Sequence, residues 1–332
     1  MSRRLRRLST GKSKHVHITP IISSKKSENS SKASTQKKYS KILEFYDKNY
    51  AKLLIIPILL LVISFAVIGM QVAQTGDFIQ RAVSLKGGTT ITIPITQVVN
   101  VDNLEGALLD EFESVDISVR SLSKAGKQTG IIVDTDMLEV EQIDLLIESI
   151  ESKLGDLGEY STEQMGSSLG ASFFRETVVA LLLAFLFMGI VVFLYFRNFI
   201  PSVAVIAAAF SDLVITLAVV NLMGMKLSTA GIAAFLMLIG YSVDTDILLT
   251  TRLVKRKVGT VFERLLGAMQ TGLTMSATTI TVVILALIFS QSETIRQIMT
   301  ILLIGLIVDL ISTWIQNVGI LRVYLARKQR NE

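Results

Sequence analysis

Long apolar runs broken by short basic loops fill most of the chain. Six of them, at residues 53–72, 176–196, 200–222, 229–251, 265–289 and 298–321, match the ~20 residues a helix needs to cross bilayer hydrocarbon. Between the first and second runs the period changes. Residues 89–95 are rich in Thr and Ile and predict a strand; 102–112 carries Leu104, Leu108 and Phe112 at helical spacing; 116–122 alternates again. The polar tip 124–127 suits a hairpin turn, after which 129–133 pairs back. A second amphipathic helix over 141–154 aligns Ile143, Leu146, Ile147, Ile150 and Leu154, and a last strand over 160–165 completes β-α-β-β-α-β, the ferredoxin-like plan. The pattern predicts a polytopic α-helical membrane protein of six transmembrane helices with a small α+β ferredoxin-like domain outside the membrane.

Charge orients these spans. Arg197, the group Arg252, Lys255, Arg256, Lys257 and Arg264, and the tail residues Arg322, Arg327, Lys328 and Arg330 all fall on the side of the N-terminus. The opposite loops hold Lys226 and the turn 290–297 with Glu293 and Arg296. Cytoplasmic loops collect Lys and Arg, so both termini are expected in the cytoplasm and the polar domain outside. The chain divides into a basic Ser/Lys-rich arm at 1–40, an interfacial segment and first span at 41–75, the external domain at 76–170, a five-helix block at 171–325 and a tail at 326–332. The arm is too polar to bury a core and is expected to be disordered. Residues 39–50 predict a short interfacial helix with Phe45, Tyr46 and Tyr50 near lipid headgroups.

Composition narrows the function classes. With 50% hydrophobic and 18% charged residues, the chain is too apolar for an ordinary soluble domain. It has no cysteine, and both histidines, His15 and His17, lie in the arm, so neither a metal site nor any other cofactor is expected. The net charge of +5 is concentrated at span ends and the termini, where it serves orientation and anionic membrane lipid rather than a specific nucleic acid. No phosphate-binding loop and no nucleophile with a supporting base is legible; an enzyme is not expected.

The candidate chemistry lies inside the apolar runs. Asp212 sits near the middle of the third, Asp244 and Asp246 slightly past the middle of the fourth, and Asp309 near the middle of the sixth. An acid at the centre of a membrane helix costs about 3 kcal/mol on insertion scales, so it is kept where it faces protein, water or a proton path. No Lys or Arg occurs at comparable depth. The four acids are therefore proton-coupling candidates, the alternative being hydrogen bonds that only fix helix packing. Asp244 and Asp246 are about 200° apart around a helix and cannot share a face. Thr271, Thr274, Ser276, Thr278 and Thr279 of the fifth run either line a polar path or pack helices closely. Gln316 and Asn317 are expected to satisfy the end of the sixth helix.

Four stretches carry a family resemblance: Gly240-Tyr241-Ser242-Val243-Asp244-Thr245-Asp246 followed by Arg252, Lys86-Gly87-Gly88-Thr89, Gly166-Ser167-Ser168-Leu169-Gly170, and Ser276-Ala277-Thr278-Thr279. By these the chain, from about residue 41 onward, resembles the SecF family of protein-export membrane proteins, within the SecD/SecF group of the RND superfamily, and there its archaeal form. The resemblance implies a six-span half that associates with a SecD half and the SecY channel complex in the plasma membrane. Such proteins use the proton gradient to assist translocation, the external domain engaging the translocating polypeptide. Asp244 and Asp246 would fall at the family's proton-linked position, and Gly87, Gly88, Gly166, Gly170 and Gly240 at structural positions. Two departures stand out: Thr271 or Gly272 lies where bacterial members tend to carry an arginine, and Val83-Ser84-Leu85 replaces an acidic residue and a phenylalanine. The alternatives are a proton-driven RND-type exporter of small molecules or lipids, and a non-transporting scaffold for the channel.

Overall fold

A computed structural model describes residue 46 and residues 48–331, apart from 113, 125, 126, 257 and 291. The arm and most of the expected interfacial segment lie outside the described residues, as does the centre of the 124–127 turn. Tyr50–Glu332 forms one compact unit.

The first span is helix α1 (Ile55–Thr75), closed by Gly76 in the left-handed conformation, whose amide bonds the Val72 carbonyl. A single helical turn that periodicity did not announce, α2 (Val83–Lys86), then leads into strand β1 (Gly88–Pro94). Helix α3 (Val101–Glu111), strands β2 (Ile117–Lys124) and β3 (Lys127–Thr135), helix α4 (Val140–Leu154) and strand β4 (Ser161–Met165) follow. The strands form one antiparallel sheet in the order β2-β3-β1-β4, as expected for β-α-β-β-α-β. Alternation explains the pairing: Ile91 and Ile93 of β1 point into the core with Ile131 and Val133 of β3, and Leu104, Leu108, Ile143, Leu146 and Ile150 of the helices close it. Fully burying each such side chain contributes about 1.5–3 kcal/mol. At the start of α3, Asn100 accepts the Asn103 amide.

The domain's lower edge is shared with the membrane helices. Ile79 and Leu85, which lie in the stretch expected to belong to the external domain, are buried beside Val220, Leu227 and Phe235 of the helical block. Backbone bonds from Ala82 to Leu227 O (2.9 Å) and from Leu227 to Gln80 O (2.7 Å) fasten the same segment. Above them Asp134 of β3, only 4% exposed, accepts from Thr90 (2.8 Å), Arg120 (2.8 Å) and Lys226 (3.3 Å), the last from the loop between membrane helices. Close approach explains two glycines here. Gly87, at φ +93°, has no room for a Cβ against Ser167, and a Cβ on Gly170 would sit 2.8 Å from the Gly87 nitrogen. Gly88 likewise abuts the Thr135 carbonyl, whereas Gly166 and Gly240 face open space.

The helical block consists of α5 (Ser167–Phe196), α6 (Phe199–Leu222), α7 (Thr229–Thr250), α8 (Val261–Phe289), α9 (Glu293–Ile311) and α10 (Val318–Asn331). A π-helical turn, Thr251–Lys255, follows α7, and another, Ser312–Asn317, joins α9 to α10 without a break in the helix. The sixth span is therefore longer than the sequence suggested, running from Thr294 to Arg330. Burial sorts the six spans: about half of the most apolar window is covered in the third, fourth and sixth, against 6% in the second and 11% in the first. The inner three carry the acids, while α1, α5 and much of α8 offer apolar faces to lipid. At the basic end Lys255 stacks 3.6 Å from the Tyr195 ring, Arg252 donates to the Gly267 carbonyl and Arg264 to that of Leu253. Thr260 and Glu263 form a capping box that starts α8.

Candidate functional site

Three of the four sequence-selected acids meet. Asp212 of α6, Asp246 of α7 and Asp309 of α9 are 0%, 0% and 1% exposed. Helical geometry accounts for the meeting: Ser242 and Asp246 are one turn apart on the inner face of α7, and Ser242 donates to Asp212 Oδ2 at 2.5 Å. From the last span, Thr313 Oγ lies 3.0 Å from Asp246 Oδ1 and 3.0 Å from Asp309 Oδ1. Asn317 Nδ2 donates to Asp246 Oδ1 at 2.7 Å. Gln316 reaches the other way, to Ser211 Oγ (3.0 Å) and the Ala207 carbonyl (3.1 Å) of α6.

The π turn sets this arrangement. Asp309 and Asn317 are eight residues apart, which in an α-helix leaves them about 80° out of line. The wider turn at Ser312–Asn317 takes up that offset, so that Thr313 and Asn317 both reach Asp246. It also turns Trp314 toward α8, where Gly272 makes room; a Cβ there would clash with the indole and lie 3.4 Å from Thr245 Cγ2.

No ion pair among the described residues reaches the three acids. The bridges among the described residues, such as Arg120–Asp134, lie outside this cluster. Two full charges 4 Å apart repel by about 4 kcal/mol at an effective dielectric of 20, so three uncompensated carboxylates in one buried cluster would be costly. Hydrogen bonding makes the same point from geometry. A threonine hydroxyl has one hydrogen and can donate to one carboxylate only. If Thr313 bonds both Asp246 and Asp309, one of those acids carries a proton and donates back. Asp212 Oδ1, Asp246 Oδ2 and Asn317 Oδ1 are buried without a hydrogen-bond partner. The cluster can hold and release protons, and it joins the three inner helices.

Asp244 stands apart, exposed on the outer face of α7, as its 200° offset from Asp246 requires. The fifth-span hydroxyls are not gathered at the acids. Thr271, Thr274, Thr278 and Thr279 donate to carbonyls of their own helix, Thr274 to Gln270 O at 2.8 Å for example, and Thr274 and Thr278 are exposed; only Ser276 is buried. Gln316 and Asn317, expected to finish a helix, are instead buried, Asn317 against Asp246 and Gln316 against α6, because the helix continues to Asn331. Ser242 and Thr313 went unselected in the sequence. The spacing Asp309, Thr313, Asn317, four residues at each step, is the signal that could have found the last two.

Residues 146–327 match the family described as protein export membrane protein SecD/SecF, C-terminal. The chain is 38% identical over 282 residues to the protein-export membrane protein SecF of Pyrococcus furiosus, covering 85% of this chain and 93% of that protein. It is 38% identical over 287 residues to the protein of the same name from Methanocaldococcus jannaschii, covering 84% and 96%. Among solved structures, SecDF from Thermus thermophilus, described as a translocon-associated membrane protein, has a similar fold, with TM-score 0.68 and 21% identity. That likeness covers 84% of this chain and 38% of the longer one.

Proposed function

This chain belongs to the SecF family of protein-export membrane proteins, and on that premise we propose that it couples the proton gradient to polypeptide translocation through the cluster Asp212, Asp246 and Asp309. The observation that carries this reading is the convergence of three buried carboxyls from three helices, with no cation among the described residues to neutralise them. Protonation removes charge from the shared interior of α6, α7 and α9 and changes which hydrogen bonds those helices can exchange. A ligand, here a proton, shifts a two-state equilibrium by its differential affinity for the states. The movement reaches the sheet domain through Lys226, two residues before the Ser228 that caps α7 and bonded to Asp134. No covalent chemistry is involved.

The partner is a SecD half, set against the outer face of α7. Asp244 is exposed there at membrane depth, and an acid left in hydrocarbon costs about 3 kcal/mol, so that face calls for a helix that brings a donor or a cation. Protein-translocating SecY and the moving polypeptide complete the assembly, with the sheet domain outside the plasma membrane, both termini in the cytoplasm, and acidic lipid at the basic loops.

The test uses vesicles containing the full chain with SecD and the channel. An imposed proton gradient should raise export in the native complex and leave it unchanged with Asp246→Asn, while SecD still copurifies. Full gradient dependence in the variant would sink the role of the cluster.

A further inference from the structure

Asn317 brings both a donor and an acceptor to the buried cluster. Its amide nitrogen donates to Asp246 Oδ1 at 2.7 Å, while its own Oδ1 is buried and has no partner. A primary amide holds a donor and an acceptor on one planar group, and a half-turn about its last bond exchanges them. The residue is 0% exposed, so water does not compete for either atom.

We infer that Asn317 is a positioning residue that follows the protonation of Asp246, donating to the carboxylate in one state and accepting from the carboxylic acid in the other by a turn of its amide. The inference rests on the proposed proton coupling. In the ionised state Asp246 Oδ1 accepts from both Asn317 and Thr313. Asp246 Oδ2 is buried with no partner, so a proton there would find no acceptor; a proton from the aqueous side that binds Oδ1, facing Asn317, makes that oxygen a donor that would oppose the amide hydrogens. The half-turn brings Asn317 Oδ1 to the place its nitrogen held, so the new O–H finds an acceptor. Asp309, which carries the proton that it donates to the Thr313 oxygen 3.0 Å away, keeps that bond, and Asp246 Oδ1 still accepts the Thr313 hydrogen on its remaining lone pair. On release the proton leaves Asp246 and the amide turns back. No bond other than that to the proton forms or breaks.

The groups facing Asp246 limit the alternatives. Asp309 from α9 and Asp212 from α6 are the titratable groups whose charge it feels, and neither is a cation. On the α8 side, Gly272 faces Trp314 and Thr245, and residues 265–292 contain no ionisable side chain. Fixed donors such as lysine would suit only the ionised state. The amide suits both, and the π turn that brings it to Asp246 belongs to the same span as Asp309.

The test is infrared difference spectroscopy of the complex with SecD in vesicles, with asparagine isotopically labelled in its side-chain carbonyl. Acidification should protonate a carboxyl whose band is absent in Asp246→Asn, and should move one labelled amide band, absent in Asn317→Val, to lower frequency at the same pH. An amide band that stays fixed while Asp246 titrates overturns the inference. Absence of any Asp246 titration overturns the coupling reading beneath it instead. A second pair of variants matches shape: Asn317→Thr keeps one donor and one acceptor, Asn317→Val has neither. Export with Asn317→Thr should stay within about twofold of native and fall about tenfold with Asn317→Val, the size of one or two buried hydrogen bonds. Equal export by the two variants, at equal protein levels, contradicts it.

Discussion

At the scale of single residues, depth in the membrane distinguishes groups less than angle around the helix does. Asp244 and Asp246 share a helix and almost a depth, yet one is exposed and the other has no accessible surface. The sequence showed that the two could not share a face, but it did not show which faced inward. That depends on where α6 and α9 pack, which a single helix does not encode. Gly272 is a second example. Between Thr271 and Leu273 nothing in the sequence shows that it is the space into which Trp314 fits. Gly272→Ala should lower stability by about 1–3 kcal/mol through overpacking, read as a lower Tm in detergent, whereas Gly166→Ala, open on all sides, should not.

The charges of the sheet domain permit a prediction with a definite sign. The Lys86 ammonium, 2.6 Å from Asp116, holds that carboxyl below the usual aspartate range, and partial burial opposes it less strongly. A depressed acid contributes stability above its unfolded pKa, about 3.9, and loses it as pH falls through the folded value. Lys86 and Asp116 are 52% and 62% exposed, so the pair should contribute at most about 1 kcal/mol. Lys86→Met should therefore lower the Tm by a degree or two near pH 7 and leave it unchanged near pH 2. A deficit that persists at the acid end would point to packing of the lysine stem instead.

Among elements, the strands and amphipathic helices of the sheet domain were legible within two or three residues, because a half-buried sheet imposes strict alternation on its sequence. The expected strand at 129–133, for instance, lies within β3. The turn α2 was not legible: four residues are too few for a period, and its Leu85 is buried against membrane helices distant in sequence. The π turn was equally hidden, since it changes the face of Thr313 and Asn317 without changing composition. On α8 the sequence left the hydroxyls either to line a path or to pack helices closely, and the bonds of Thr274 and Thr278 return to their own backbone. Replacing Thr274 and Thr278 together by valine should keep export within about twofold, since each lost bond is intrahelical and worth about 1 kcal/mol or less. A collapse of export would restore a path along this face.

For the whole molecule, the three inner helices hold the acids, the outer three meet lipid, and the sheet domain rests on the block through Asp134, Lys226 and the bonds at Leu227. The charge asymmetry of the loops predicts how this body is oriented. The absence of native cysteine makes the orientation directly measurable with single substitutions. Cysteine at exposed Glu159 of the sheet domain should react with an impermeant maleimide in intact cells, and cysteine at Arg256 only after permeabilisation. The reverse pattern would invert the topology and place the sheet domain in the cytoplasm.

The most direct measurement compares Asp246→Asn with Asp244→Asn for proton-gradient-dependent secretion of a reporter, with levels of the chain and of SecD monitored together. The buried cluster predicts that Asp246→Asn loses the gradient-dependent part of secretion at normal protein levels. Asp244→Asn should keep the gradient response of whatever complex assembles, its effect appearing as weaker association with SecD. Loss of the response with Asp244→Asn at full SecD association, and its retention with Asp246→Asn, would contradict the account and move proton coupling to the outer face of α7.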